Sequence, residues 1–356
     1  MEVLRIIVLL LGLGIVLGTL FSATKTTVLP GRKKVWLTRI VFRNTFRLFR
    51  FVCRRVQVDE ERERILAMYA PLSVMLLPLA WVILLIIGDS AVFWATGISS
   101  FGEAMVLAGA SLTTLGFLAP QGVVQTILSI CSGVIGLGIV GLLITFLPTN
   151  YSIYSQREQE VTRMAFRFGT PPSGVKVLAH SYQTGLTQEL DRFWHTWEEW
   201  FTAMYETHLS NSAVIFYRSS QPGTSWITTA GAILDAGALF SSTVDRQNDP
   251  WLKFCLHAGS RLLRDLATDA GLPFSPGLAP GESIHVTRPE YDAACKQLRS
   301  AGVPLKPNHE DNWGVFVSIR GRYDTALLAL ASLVYAPEAP WSSDRKIGKV
   351  KIKLLK

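Results

Sequence analysis

The residues best suited by type and spacing to do chemistry lie in Ser111-Leu112-Thr113-Thr114-Leu115-Gly116-Phe117. Threonine hydroxyls and backbone carbonyls are oxygen ligands of the kind that replace the water shell of a cation. Long apolar runs flank the segment, and between Ile65 and Gln156 the only charged residues are Asp89 and Glu103. Such a stretch is typical of a membrane domain, where irregular backbone is tolerated only if protein buries it or it lines a watery cavity. The Thr/Gly turn therefore indicates an ion pore.

Three elements must position this turn. Ile65–Ile87 is apolar enough for an outer spanning helix, and Gln121–Leu147, which ends at Pro148, is apolar enough for an inner one. Between them, Ser100-Phe101-Gly102-Glu103 has the spacing of a capping box and opens a short helix predicted over 101–113. That helix would be roughly 20 Å long, too short to cross a bilayer but suited to a re-entrant half-helix.

Composition and charge bound the rest of the chain. With 356 residues, 49% of them hydrophobic, it has room for a membrane part and one soluble domain. Residues 24–64 carry 12 Lys/Arg against 4 Asp/Glu, and the basic tail 345–356 adds 6 positive charges. A basic excess beside spanning helices indicates membrane topology and contact with anionic lipid, and argues against nucleic acid as a partner.

The N-terminal run Val3–Ser22 fits either a cleaved signal peptide or a spanning helix. Cleavage would leave the basic loop outside, against the positive-inside tendency, so we predict an uncleaved transmembrane helix over 1–23. Gly14 and Gly18 are its expected packing face. Three spans then place the N-terminus outside and the C-terminal domain in the cytoplasm, as in a multi-pass protein of the plasma or inner membrane.

A basic amphipathic helix is predicted over Val35–Arg55, within the segment 24–64. Its arginines recur every three or four residues and form one stripe, which consists of Arg39, Arg43, Arg47, Arg50 and Arg54. One interpretation is an interfacial helix that lies on the cytoplasmic leaflet and binds anionic lipid. The other is a voltage sensor, which needs its arginines inside a hydrophobic span. The segment is too charged to span, so we favour the interfacial helix.

The region from Leu66 to Tyr154 resembles the pore domain of the two-span potassium-channel superfamily of bacterial type. That family ends its pore helix in Thr-Val-Gly-Tyr/Phe-Gly-Asp, and Thr114-Leu115-Gly116-Phe117 matches the first part in kind. The resemblance implies a pore domain over 65–155 whose filter, 113–118, offers the ion the carbonyls of Thr114, Leu115, Gly116 and Phe117, with Thr113 at the base. It also implies a homotetramer, since one chain supplies one of four loops, and K⁺ as the conducted monovalent cation with no other cofactor.

Three residues at the outer end of the predicted filter depart from the family's pattern. Leu118 replaces the second filter glycine, and Ala119-Pro120 follow where an acidic residue usually stands, so either the outer filter differs in shape or its outermost site is missing.

In the inner span, Gly136 and Gly138 are candidates for the hinge that gates such channels, with close helix packing as the alternative. They also fit the spacing of a dinucleotide fingerprint, but its strand-to-helix context is absent.

Residues 156–344 read as a soluble helical domain. Helices are expected at Leu186–Met204, Trp226–Phe240, Trp251–Ala270, Pro289–Ala301 and Asn312–Tyr335. His195, Glu198, Glu199, Glu206 and His208 are expected on a solvated helix face, with no metal site. No catalytic motif is recognisable, so we predict a regulatory or assembly domain and no enzyme, with an unidentified cytoplasmic ligand as a further partner.

The sequence as a whole predicts an all-α membrane protein that works as a cation channel subunit, gated or assembled by its cytoplasmic domain. Two competing functions stay open. One is a non-conducting receptor or scaffold that keeps a pore-like fold, which Leu118 allows if it plugs the axis. The other is a membrane-anchored enzyme whose chemistry lies after Arg157.

Overall fold

The computed structural model describes residues 2–27, 36–53, 55, 59–246, 250–275, 277, 283–307 and 309–345. Every element of regular structure within these ranges is a helix, apart from one isolated bridge between Val244 and Leu305. The α-helices are α1 (Glu2–Thr27), α2 (Trp36–Cys53), α3 (Asp59–Ala95), α4 (Phe101–Leu112), α5 (Gly122–Phe168), α6 (Gly174–Gln183), α7 (Leu190–Ser210), α8 (Trp226–Thr243), α9 (Pro250–Asp269), α10 (Arg288–Ser300), α11 (His309–Arg320) and α12 (Asp324–Leu333). The chain divides into two compact units, Met1–Ser152 and Ile153–Lys356.

Three helices of the N-terminal unit are long and apolar enough to cross a membrane: α1, the Ala67–Ala95 part of α3, and α5. The predicted spans are therefore found as helices, and the predicted basic helix is α2. Their bounds differ from the predictions mainly by extension. The outer helix begins at Asp59 and runs to Ala95, so it starts before and ends after the predicted span.

Helices α1 and α3 cross at a pair of glycines. A Cβ added to Gly12 would lie 2.8 Å from the carbonyl oxygen of Gly88, so only glycine allows this approach. Gly14 and Gly18, the predicted packing face of α1, take no part in this crossing and have open space within the chain where a Cβ would stand. Without a hydrophobic drive between helices in lipid, such backbone contact is what holds spans together.

Helix α2 packs on the start of the spanning part of α3 through aromatic rings. Phe42, Phe46 and Phe49 surround the ring of Tyr69 at centroid distances of 6.5, 5.4 and 5.9 Å. The Tyr69 hydroxyl also donates to the Phe42 carbonyl oxygen at 3.2 Å. One face of α2 is therefore buried against protein, as its amphipathic pattern requires.

The inner helix does not end at Pro148, contrary to the prediction. Helix α5 continues through this proline to Phe168. Proline cannot donate to the preceding turn, but neighbouring side chains supply donors to carbonyl oxygens there. Thr149 Oγ1 donates to the Thr145 carbonyl at 2.7 Å, and Asn150 Nδ2 donates to the Phe146 carbonyl at 2.8 Å.

The C-terminal unit is built around α8, which buries all its residues except Ser241 and is therefore apolar on every side. The expected helices are present with shifted ends, and the one predicted over Asn312–Tyr335 is two helices, α11 and α12. Helix α6 was not predicted. The core also contains three buried tryptophans of α7, Trp194, Trp197 and Trp200.

A charged network lies inside this core. The Arg320 guanidinium, fully buried, donates to Asp235 of α8, to Asp324 Oδ1 at 2.9 Å and to the Trp341 carbonyl at 2.5 Å. Burial alone would raise the pKa of Asp324. The charge of Arg320 and the hydrogen bond from His285 nevertheless hold this pKa below its usual range. The network therefore ties α8, α11 and α12 together through charge-assisted hydrogen bonds.

Candidate functional site

The short helix α4 leads into the Thr/Gly turn. Its N-cap is Ser100, whose Oγ accepts the Glu103 backbone N–H at 3.1 Å. Only this half of the predicted capping box forms, because the Glu103 carboxylate accepts the Ser99 hydroxyl instead. With 12 residues, α4 is about 18 Å long, so it is too short to cross a bilayer.

The turn itself closes α4 with a Schellman motif. The Thr114 N–H donates to the Ser111 carbonyl at 3.1 Å, and the Leu115 N–H donates to the Ala110 carbonyl at 3.0 Å. Thr114 adopts the left-handed conformation that this motif requires, with φ of 59°. Glycine is the usual residue at this position, so a threonine here stores on the order of 1–2 kcal/mol of backbone strain.

The predicted filter residues present several oxygens that lack protein partners. Within the described chain, no hydrogen bond reaches the carbonyl oxygens of Thr114, Leu115, Gly116 or Phe117. The Thr113 and Thr114 hydroxyls donate to backbone carbonyls at 2.6 and 2.7 Å, which leaves their lone pairs open. The turn is also exposed in the single chain, with Leu115 69% and Phe117 66% accessible. Oxygens of this kind can bind a cation.

Behind the turn, polar side chains join α3, α4 and α5. The Ser111 hydroxyl donates to Ser129 Oγ at 3.1 Å, and Asp89 lies near Ser132, one turn further along α5. Asp89 is only 6% exposed, and its Oδ2 has no partner among the described residues. Sequence reasoning did not single out this cluster. The available signal was a lone carboxylate in a span that contains no basic residue.

The two hinge candidates differ in their surroundings. A Cβ on Gly136 would overlap the carbonyl oxygen of Leu112, the last residue of α4, so this glycine lets α5 approach the half-helix closely. Gly138 has open space within the chain. Helix α5 is continuous through both positions, and their role in gating stays a prediction.

The predicted lipid-binding stripe is only partly within the described residues. Arg47 is exposed, while Arg39 and Arg43 are half-buried on α2. The side chain of Arg50 and the whole of Arg54 lie outside the description. Lipid binding by this stripe stays a prediction.

The histidines and carboxylates of α7 do not converge. His195 Nδ1 lies 3.7 Å from Glu199 Oε2 on the helix surface. His208 is completely buried, so its expected place on a solvated face is wrong. Burial, and secondly the charge of Arg157, hold the pKa of His208 well below its ordinary value. Among the described residues, no group of three or more His, Cys, Asp or Glu side chains is placed to hold a metal ion.

Comparison with known proteins adds no family to this geometry. Protein-family models, curated protein sequences and solved structures all lack a significant match to the chain. The potassium-channel resemblance therefore rests on the turn residues alone, and functional argument must start from the half-helix and its turn.

Proposed function

We propose that this protein is a subunit of a membrane channel for monovalent cations, K⁺ being the ion that the turn residues favour. Four copies would surround one axis, with Thr113, Thr114, Leu115, Gly116 and Phe117 of each copy facing the ion. The N-terminus would lie outside and the C-terminal unit in the cytoplasm of the cell membrane, where that unit gates or assembles the pore.

One observation carries the proposal. A helix too short to span stands between two helices that are long enough, and the turn after it leaves four backbone carbonyls without partners among the residues that the structure describes. Such groups cannot face hydrocarbon, because each unsatisfied one costs several kcal/mol there. Further copies of the chain and a hydrated axis would satisfy them. A half-helix whose C-terminal end points inward also favours a cation at that end.

Ion flux in liposomes tests the proposal directly. The purified full-length protein should release K⁺ from loaded liposomes, and Gly116→Trp should abolish the flux because the new side chain fills the axis. Gly14→Trp is the matched control: Gly14 lies on α1 with open space around it, so flux should persist.

A second variant protects the test against misfolding, since Gly116 has a φ of 65° that tryptophan resists. Leu115→Lys places a positive charge beside the proposed ion path and should also block flux, whereas Leu115→Met should not. Folded tetramers that pass no cation would exclude the channel and favour the non-conducting scaffold, whose axis Leu118 would plug.

A further inference from the structure

A polar groove in the C-terminal unit lies between the end of α5, the length of α6 and the end of α10. Its volume is about 410 Å³, within the range of small-molecule sites. Helix α6 contributes Lys176, His180 and Gln183, which follow at i, i+4 and i+7 and so share one helix face. Arg167 approaches from the last turn of α5. The groove therefore gathers side chains from separate helices.

The groove is basic and has no acidic counterpart. Arg167, Lys176 and His180 line it, and no Asp or Glu occurs among the described lining residues. The polar contact recorded for the Lys176 ammonium is a long one, 3.4 Å to the Pro171 carbonyl. Gln297 and Ser300 of α10 add neutral hydrogen-bonding groups on the opposite side. Cations gathered around a groove without carboxylates attract an anion.

The α10 helix end does not account for these cations. Basic side chains often collect at a helix C-terminus to bind its free carbonyls. Here the Ala301 N–H already donates to the Gln297 and Leu298 carbonyls at 3.1 Å, and the cations come from α5 and α6. The end of α10 therefore does not hold them.

The groove also has an apolar floor. Phe168, Ala179 and Ala301 line it, and the Phe168 ring meets the His180 ring edge-on at 5.8 Å. Aromatic surface of this kind stacks on flat rings. A ligand that matches both parts has an anionic group for the rim and a planar group for the floor.

We propose that this groove binds a small organic phosphate that carries a flat ring, with its phosphate at Arg167 and Lys176 and its ring over Phe168. The binding site does not depend on the proposed function. Control of the pore by its ligand does rest on that function, and would act through α5, which is one helix from Gly122 to Phe168.

Titration calorimetry on the full-length protein in detergent, with AMP as the probe, tests the site without any flux measurement. We expect saturable binding of AMP. Inorganic phosphate, which lacks the ring, and adenosine, which lacks the phosphate, should each bind at least about tenfold more weakly. Arg167→Gln with Lys176→Gln should weaken AMP binding by about tenfold or more, because two charge-assisted contacts are lost. Lys253→Gln, an exposed lysine of α9 outside the groove, should leave AMP binding unchanged.

A steric variant checks the location independently of charge. Ser300 is exposed at the rim, so Ser300→Trp should fold and should abolish AMP binding by filling the groove. Absence of saturable AMP binding would overturn the proposal. So would AMP affinity no greater than that of phosphate or adenosine, or equal binding by the Arg167/Lys176 double variant and the Lys253→Gln control. Loss of K⁺ flux with AMP binding intact would count against the channel and leave the site standing.

Discussion

The two units of this protein bury polar groups in opposite ways. The N-terminal unit, which has the three helices that could cross a membrane and is called the membrane unit below, buries one carboxylate among its described residues, Asp89 near Ser132. Its helices approach through Gly12, Gly88 and Gly136. The C-terminal unit buries the guanidinium of Arg320 with two carboxylates and a tyrosine. The first unit combines close backbone contact at glycines with a small aromatic cluster between α2 and α3. The second has a large aromatic and aliphatic core that encloses a charged network.

The difference is the one expected if the N-terminal unit lies in lipid and the C-terminal unit in water. In water, apolar burial drives folding, and a core of this size tolerates a charged network whose members are all paired. In lipid the apolar drive between helices is absent, so small residues and van der Waals contact must hold the spans. Charges are also costly at membrane depth, and the spans contain almost none. The comparison predicts that single substitutions will have very different effects in the two units.

The largest effect is expected in the C-terminal unit. Arg320→Met should lower the free energy of unfolding by about 3–5 kcal/mol, because it leaves Asp235 and Asp324 buried without their counter-ion. Chemical unfolding of the full-length protein in micelles, followed by tryptophan fluorescence, measures it. Arg322→Met is the matched control: this arginine, two residues on, is exposed, and its loss should change stability little. Equal effects of the two substitutions would mean that the network does not hold the core.

A smaller effect should distinguish two glycines of α5. Gly136→Ala should destabilise the membrane unit by about 1–3 kcal/mol, since the added methyl group overlaps the Leu112 carbonyl and must push α4 away. Gly138→Ala meets open space within the chain, so it should stabilise by up to about 1 kcal/mol through helix propensity. Thermal unfolding in micelles compares them. If Gly138→Ala also destabilises, another copy of the chain must pack against that position.

For the membrane unit, the sequence predicted which segments form helices better than it predicted the residues at which those helices begin and end. Apolar length located the three spans, and a Ser–Glu spacing located the start of α4. The end predicted at Pro148 was wrong, because one proline removes one backbone donor and a long helix can continue through it. Helix α6 was missed because its ten residues are too few for a clear period.

The candidate site was predictable in part for the same reasons. Residue types such as threonine and glycine indicate a turn, so the candidate residues Thr113–Phe117 could be predicted from the sequence. The proximity of Asp89 and Ser132 could not be predicted from the sequence, because the two residues are 43 positions apart and meet only through the packing of α3 and α5. The basic groove likewise depends on three helices whose mutual packing no local pattern encodes. Long-range placement is what single-sequence reasoning lacks.

The smallest effect should come from Asp89, and its sign sharpens the comparison of the two units. Asp89→Asn keeps the shape and polarity of the side chain near Ser132 but removes a carboxylate that has no basic partner among the described spanning residues. Since an unpaired buried charge is costly, the variant should be neutral or more stable by up to about 1 kcal/mol. Asp89→Leu, which removes the polar group near Ser132, should instead lose about 1 kcal/mol. Thermal unfolding in micelles measures both. A loss of several kcal/mol in Asp89→Asn would show that a cation, from another copy or from solution, pairs with this carboxylate, and the membrane unit would then resemble the Arg320 core after all.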